Sequence, residues 1–148
     1  MSVDAKAEIF IEKPREAVAS VMFDPKKDKL WVGGLTNVFP LSPGLLKQGS
    51  KVERVGVFLN RAYSANLRVI KEIDEFTLEI SANEPFEMKM RYELAEAPGG
   101  TLAKLRIQSI GENEYRQVPS AAFARNVEDA INSDLARLKR RVELLEAE

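Results

Sequence analysis

The chain contains no cysteine and no histidine, and these two absences exclude several kinds of active site. Zinc sites of the usual Cys/His type cannot form, and neither can Ser-His-Asp or Cys-His nucleophile pairs. Acid–base chemistry would fall to Asp, Glu, Lys or Tyr side chains, whose pKa values would have to shift to work near pH 7. The lack of disulfides is consistent with a reducing compartment. We therefore predict a cytoplasmic protein without a metal site.

Long apolar runs and an excess of one charge are missing as well. No stretch approaches the roughly 18 apolar residues of a transmembrane helix. There are 22 basic and 23 acidic residues, for a formal net charge of -1, so no basic face for nucleic acid is expected. The glycine pairs at residues 33–34 and 99–100 are typical of turns, not of phosphate-binding loops. We predict no nucleic-acid partner, no stable membrane insertion, no cofactor, and a monomer or weak homodimer.

The residues that are present have an ordinary globular composition. Of 148 residues, 45% are hydrophobic and 30% are charged, which argues against disorder. A chain of this length buries roughly two-thirds of its surface on folding and needs no covalent staple. We predict one domain spanning residues 1–148.

Alternating apolar residues predict strands along most of the chain. Residues 3–11 form the first such segment. Pro14 is placed to open a helix, and a second short helix is expected at about residues 26–31. Six further strands follow between residues 35 and 109, and the clearest alternation runs over residues 86–94. The short connections between these strands predict antiparallel neighbours.

A long C-terminal helix is predicted at about residues 119–146. The segment has no internal glycine or proline, and its apolar residues recur at three- and four-residue steps, which is typical of one buried helix face. These residues are Phe123, Val127, Ala130, Ile131, Leu135, Leu138, Val142 and Leu145. The element order predicts an α+β fold. A seven-stranded curved antiparallel sheet would wrap the long helix, with two short helices after strand 1.

This arrangement resembles the START-like superfamily with the helix-grip fold, in its polyketide cyclase/dehydrase and lipid-transport-like branch. Residues 7–18 resemble its first strand and proline-led helix, and Asp24-Pro25 with Leu30-Trp31 resembles its second helix. Residues 49–53 resemble the entry to the third strand, and residues 99–101 the turn before the last strand. The resemblance implies the fold and a cavity between sheet and helix. Activities in the superfamily range from carriers and receptors to cyclases and chaperone regulators, so it implies no single function.

The residues expected to line this cavity lie on the inner sheet face and the first half of the long helix. Small-molecule pockets are mostly apolar with a few placed polar groups. Met88, Met90 and Tyr92 share one face of the clearest strand, and methionine adapts to irregular ligands. The other candidates, at the ends of the cavity or on the helix side, are Trp31, Phe39, Tyr63, Phe123, Val127 and Ile131. The alternative is that these side chains simply fill a close-packed core.

Two charged residues are candidates for the polar part of the cavity. Asp134 falls within the apolar stripe of the helix, and a buried carboxylate must be paired, hydrogen-bonded or protonated. Arg54 lies on a strand with apolar residues in both phases. If the phase containing Val52 faces inward, we expect Arg54 to pair with Asp134 or with an acidic group of a ligand. The alternatives for Asp134 are a structural pair with an arginine and a place at a solvated rim. Arg137 and the neighbouring basic residues are expected to be a solvated helix end.

Three functions remain open from the sequence. The first is a carrier or sensor that binds an apolar or amphipathic small molecule in the cavity. The second is an enzyme of the polyketide cyclase or dehydratase type, in which Tyr63, Tyr92, Arg54 and Asp134 would act. The third is a protein-interaction domain whose cavity is closed.

Overall fold

The structure, a computed structural model, describes residues 3–109 and 120–147. Within these ranges the chain forms seven strands and three α-helices. The strands are β1 (Asp4–Ile11), β2 (Leu35–Pro40), β3 (Lys51–Phe58), β4 (Arg61–Asp74), β5 (Thr77–Ala82), β6 (Met88–Ala97) and β7 (Gly100–Ser109). The helices are α1 (Arg15–Met22), α2 (Asp28–Trp31) and α3 (Ser120–Glu143), and 3-10 turns occupy Pro25–Lys27 and Leu144–Ala147.

All seven strands form one antiparallel sheet in the order β1-β7-β6-β5-β4-β3-β2. Strands β2 to β7 follow one another as a meander, and β1 closes the sheet against β7. The sheet is a curved half-barrel with the long helix at its concave face. The predicted α+β helix-grip architecture, with seven strands and two short helices after strand 1, is therefore confirmed.

Local sequence features, a proline and a capping aspartate, determine where the short helical segments begin. Pro14, in an extended conformation, precedes α1, whose buried face is Val18, Ala19, Val21 and Met22. The Asp24 side chain then accepts a hydrogen bond from the backbone N–H of Lys26 at 3.0 Å, which caps the 3-10 turn. The helix predicted at about residues 26–31 is this 3-10 turn followed by a single α-helical turn.

The strand phases decide which side chains meet the interior. On β6 the buried residues are Met88, Met90, Tyr92 and Leu94, the phase that the sequence predicted. On β3 the ambiguity is resolved in favour of the phase of Val52, Arg54 and Gly56. The sheet therefore carries a charged residue on its concave face.

Helix α3 covers the concave face without following its curve. Its buried stripe consists of Phe123, Val127, Ile131, Asp134, Leu135, Leu138 and Val142. The helix backbone runs closest to β1 and stands off the middle strands, so side chains or empty space must span the remaining distance. The residue at which this helix was predicted to begin, residue 119, lies outside the described residues. No helix in the described part of the chain combines the length and apolarity needed to cross a bilayer.

Candidate ligand cavity

A cavity of about 260 Å³ lies between the concave face of the sheet and α3. Most of its wall is apolar and comes from β4 to β7 and from α3. These apolar residues include Ala65, Leu67, Ala82, Met88, Met90, Leu105, Ile107, Val127 and Ile131. The polar residues of the wall lie mainly on α2, β3, β4, β6 and α3, so the cavity is amphipathic.

The cavity reaches the surface between the α2–β2 connection, the β3–β4 hairpin and α3. Gly33, Val57, Leu59 and Ser133 line it and are exposed. The connection packs against the hairpin through Gly34, whose carbonyl accepts the N–H of Val57 at 2.9 Å. A Cβ on Gly34 would lie 2.5 Å from the Val57 carbonyl oxygen, so only glycine allows this approach. These residues form the mouth of the cavity.

A buried polar group at the inner end of the cavity, which we call the inner cluster, consists of Asp28, Arg54 and Tyr92, and of these Arg54 and Tyr92 line the cavity. Arg54 donates from Nε to Asp28 Oδ2 at 2.9 Å, and its Nη2 lies 2.8 Å from the same oxygen. Nη2 also donates to the Tyr92 hydroxyl at 3.2 Å. Asp28 and Arg54 are only 2% and 7% exposed, which charged residues tolerate only when paired. The cluster joins α2, β3 and β6.

Burial and pairing act in opposite directions on the inner cluster. Burial raises the pKa of the Asp28 carboxyl, and the attraction of Arg54 opposes this shift. Burial acts to lower the pKa of Arg54, but the attractions of Asp28 and Tyr92 and the hydrogen bonds to both together outweigh it and raise the pKa above the usual value. The contacts favour an ionised pair, because two N–H groups of Arg54 converge on one oxygen of Asp28. Burial also raises the pKa of the Tyr92 phenol, so Tyr92 keeps its proton.

Aromatic rings enclose the inner cluster. The Trp31 ring meets the Tyr92 ring edge-on with centroids 5.9 Å apart, and Phe23 stacks on Tyr92 at 6.1 Å. Trp31 Nε1 and Asp28 Oδ1 are buried and have no hydrogen-bond partner among the described residues. The packed core beside the inner end of the cavity therefore retains one unused donor and one unused acceptor, both closed off from the cavity.

A second polar group, which we call the mouth latch, consists of Asp134 and Arg137 on α3. Asp134 accepts the N–H of Gly33 at 2.9 Å and pairs with Arg137 three residues along the helix. Arg137 Nε donates to the carbonyl of Trp31 at 2.9 Å. Burial raises the pKa of Asp134, against the lowering effect of the Gly33 N–H and Arg137. The latch attaches the end of α2, through the Trp31 carbonyl, and the connection after it, through the Gly33 N–H, to α3.

Nine of the eleven predicted site residues line the cavity. They are Trp31, Arg54, Tyr63, Met88, Met90, Tyr92, Val127, Ile131 and Asp134. Their placement supports the predicted site, and their role in binding stays a prediction.

Phe39 is absent from the cavity wall and is 44% exposed. A β-bulge between Leu35 and Asn37 shifts the register of β2 against β3, which reverses the face of the residues after it. Phe39 therefore lies opposite Glu53, on the outer face, and its predicted place at an end of the cavity is wrong.

Phe123, the other predicted residue that does not line the cavity, is fully buried. It packs edge-on against Phe58 and Phe86, so it supports the wall from behind.

The predicted pairing between Arg54 and Asp134 is wrong, because Asp28 takes the Arg54 guanidinium and Arg137 takes Asp134. The alternative of a structural pair between Asp134 and an arginine is the arrangement found. The prediction that Arg137 is simply solvated is also wrong, since it donates to a backbone carbonyl.

The sequence contained a signal for Asp28 and Arg137, the two residues that the sequence analysis did not assign to the site. Asp28 lies three residues before Trp31 and Arg137 three after Asp134, so each shares a helix face with a predicted site residue.

Comparison with known proteins identifies the fold. No family model matches the chain, and no curated protein matches it. Solved structures, in contrast, do match the chain. A START superfamily protein from Mycobacterium smegmatis has a TM-score of 0.80 at 13% identity, covering 96% of this chain and 98% of that one. The chain has the START-like helix-grip fold.

Two further structures show the range of proteins with this helix-grip fold. The protein named Ara h 8.0201 has a TM-score of 0.68 at 11% identity, over 96% of this chain and 98% of that chain. The di-domain ARO/CYC BexL from the BE-7585A biosynthetic pathway has a TM-score of 0.71 at 12% identity. This match covers 96% of this chain but 49% of that protein. Identities this low establish the fold alone.

The mouth latch should stabilise the fold measurably. We expect Arg137→Ala to lower the free energy of unfolding by about 1–2 kcal/mol, because it removes a hydrogen bond to Trp31 and leaves the buried Asp134 without its counter-ion. Arg140→Ala is the matched control, since Arg140 is exposed on the same helix, and we expect a change within about 0.5 kcal/mol. Urea denaturation measures both. Equal effects in the two variants would contradict a role for the latch.

The raised pKa of Asp134 predicts a pH-dependent contribution to stability. The folded state holds the Asp134 proton more tightly than the unfolded state, so the contribution is complete below about pH 4, the unfolded pKa. It is lost as the pH rises through the folded pKa. The difference in free energy of unfolding between the parent protein and Asp134→Asn should therefore fall on going from about pH 4 to neutrality. Asp129→Asn, exposed on the same helix, controls for charge removal. A difference that grows with pH would show that pairing with Arg137 outweighs burial.

Proposed function

We propose that this protein binds an apolar or amphipathic small molecule in the cavity between the sheet and α3, as a carrier or sensor. The observation that carries the proposal is the cavity itself, a largely apolar space with a few fixed polar groups at one side, the usual composition of small-molecule sites. The exposed residues at its mouth offer an entry route. The helix-grip fold is shared with the START superfamily protein described above, which fits this proposal.

The volume limits the size of the ligand. An apolar cavity of about 150 Å³ accommodates benzene. A space of about 260 Å³ therefore fits a ligand of roughly ten non-hydrogen atoms in the same proportion. A medium-length aliphatic chain or a two-ring molecule meets this limit.

The chain contains one tryptophan, and it lines the cavity, so its fluorescence reports on ligand entry directly. We expect 2-decanone, an uncharged ligand of suitable size, to change the emission of Trp31 saturably. Replacing both Ala65 and Ala130 with leucine adds bulk to the cavity wall from β4 and α3. We expect this double variant to bind at least about tenfold more weakly, because overfilled space cannot also hold the ligand.

The control for cavity filling is the double variant Ala122→Leu and Ala136→Leu. Both alanines are exposed on α3, so the same added bulk should leave binding unchanged. Native mass spectrometry provides a second measurement through the mass of the complex. The absence of saturable binding to the folded parent protein by either method would refute the proposal.

A second candidate is an enzyme of the cyclase type, favoured by Tyr92. Its phenol is buried, holds its proton and lies against the Arg54 guanidinium, an arrangement suited to donating a proton to a carbonyl oxygen. The ARO/CYC protein from a biosynthetic pathway shares the helix-grip fold. An interaction domain with a closed interior is disfavoured by the cavity and its mouth.

Catalysis can be separated from binding with one substitution. If the protein is a cyclase, it should accelerate the intramolecular aldol condensation of 2,6-heptanedione, and Tyr92→Phe should lose about 10²-fold or more in rate while binding the dione comparably. Product formation is followed by ultraviolet absorbance of the enone. Tyr63→Phe, which alters the other phenol of the cavity wall, shows whether the loss is specific to Tyr92. An unaccelerated reaction in the parent protein leaves the binding function and removes the enzymatic one.

A further inference from the structure

The charges of the inner cluster and of the mouth latch cancel within the protein. In the inner cluster Asp28 neutralises Arg54, with Arg54 Nη2 2.8 Å from Asp28 Oδ2. In the mouth latch Asp134 is paired with Arg137. Each cation near the cavity therefore already has its own counter-ion. A ligand entering the inner end meets hydrogen-bonding groups but no net charge.

Resting on the proposed binding function, we propose that the inner end of the cavity selects an uncharged hydrogen-bond acceptor, the oxygen of a ketone, ester or lactone, and discriminates against a carboxylate. The expectation that Arg54 binds an acidic ligand group is thereby replaced. A ligand carboxylate beside Arg54 would share one cation with Asp28 and leave one buried negative charge without compensation, which is among the costliest arrangements in a protein interior. The second oxygen of Asp28, buried and unpartnered, would add to the repulsion.

The inner end nevertheless offers a donor for a neutral oxygen. The Tyr92 hydroxyl oxygen accepts from Arg54 at 3.2 Å, which leaves the phenol proton to be donated elsewhere. Tyr92 lines the cavity, so a ligand carbonyl at the inner end would accept this proton. Neutrality and the Tyr92 donor thus point to the same kind of ligand group.

The test compares two ligands of the same size, one with an uncharged head group and one with a negatively charged head group. 2-Decanone and nonanoate have the same number of non-hydrogen atoms, and nonanoate is ionised at about pH 7.5. Titrations followed by Trp31 fluorescence give the dissociation constant of each. For the parent protein we expect 2-decanone to bind at least about tenfold more tightly than nonanoate.

The decisive variant is Asp28→Asn, which keeps the side-chain shape and removes the counter-ion of Arg54. A ligand carboxylate then becomes the counter-ion, so we expect the preference for 2-decanone to shrink at least about tenfold or to reverse. The double variant Asp28→Asn with Arg54→Gln restores neutrality and should again prefer the ketone. Asp4→Asn is the matched control, because Asp4 pairs with Arg106 at an exposed site and should leave the preference as it is in the parent.

The outcomes distinguish the inference from the proposed function. If nonanoate binds the parent protein as tightly as 2-decanone, or if the preference is the same in Asp28→Asn, the inference is overturned while the binding function stands. If neither ligand binds the folded parent protein, the proposed function fails and the inference with it. If the single variant Asp28→Asn does not fold, the parent protein and the charge-neutral double variant still test the inference. A preference for nonanoate over 2-decanone in either protein contradicts it.

Discussion

The structure depends on the mismatch between a helix and a curved sheet. Helix α3 has 24 residues, and a regular helix of this length extends about 36 Å with little bending. The concave face turns away from it across seven strands, so the helix backbone can approach only the β1 side closely. Large side chains such as Phe123 and Leu138 fill part of the remaining distance. The part left unfilled is the cavity, which is therefore a consequence of the architecture.

The buried ion pair of Arg54 and Asp28 connects the interior to the cavity mouth. Arg54 cannot remain on the concave face without a counter-ion, and Asp28 supplies one only if α2 sits against β3. That position of α2 puts Trp31 beside Tyr92 and directs the Trp31 carbonyl toward Arg137. The mouth latch then completes the attachment of α2 to α3. One buried charge thus determines where a short helix with little stability of its own is held.

Sequence periodicity and the family resemblance together were sufficient to predict the fold, because strands and helices impose different repeats on apolar residues. The alternation on β6 and the stripe on α3 identified most of the cavity wall, and Asp134 was visible as a charge within that stripe. Phe39 was misplaced because a single bulge on β2 reverses its face, and a bulge leaves no mark in the periodicity of so short a strand. The partners of Arg54 and Asp134 were misassigned for a different reason. Ion pairing depends on tertiary distances, and the sequence contains several oppositely charged residues that could pair with Arg54 or with Asp134.

The polar and apolar sides of the cavity come from different parts of the fold. Strands β4 to β7 present uncharged side chains to the cavity, with the hydroxyls of Tyr63 and Tyr92 as their polar groups. The charges come from α2, which precedes β2, from Arg54 on β3, and from α3, which turns Asp134 inward. A ligand in this cavity would meet hydrocarbon on one side and internally paired charges on the other. Its orientation would therefore be set by hydrogen bonds, since the paired residues of the inner cluster carry no net charge to attract an ion. The same wall would serve a carrier or an enzyme, and the two differ only in whether the Tyr92 proton is shared with the ligand or transferred to it.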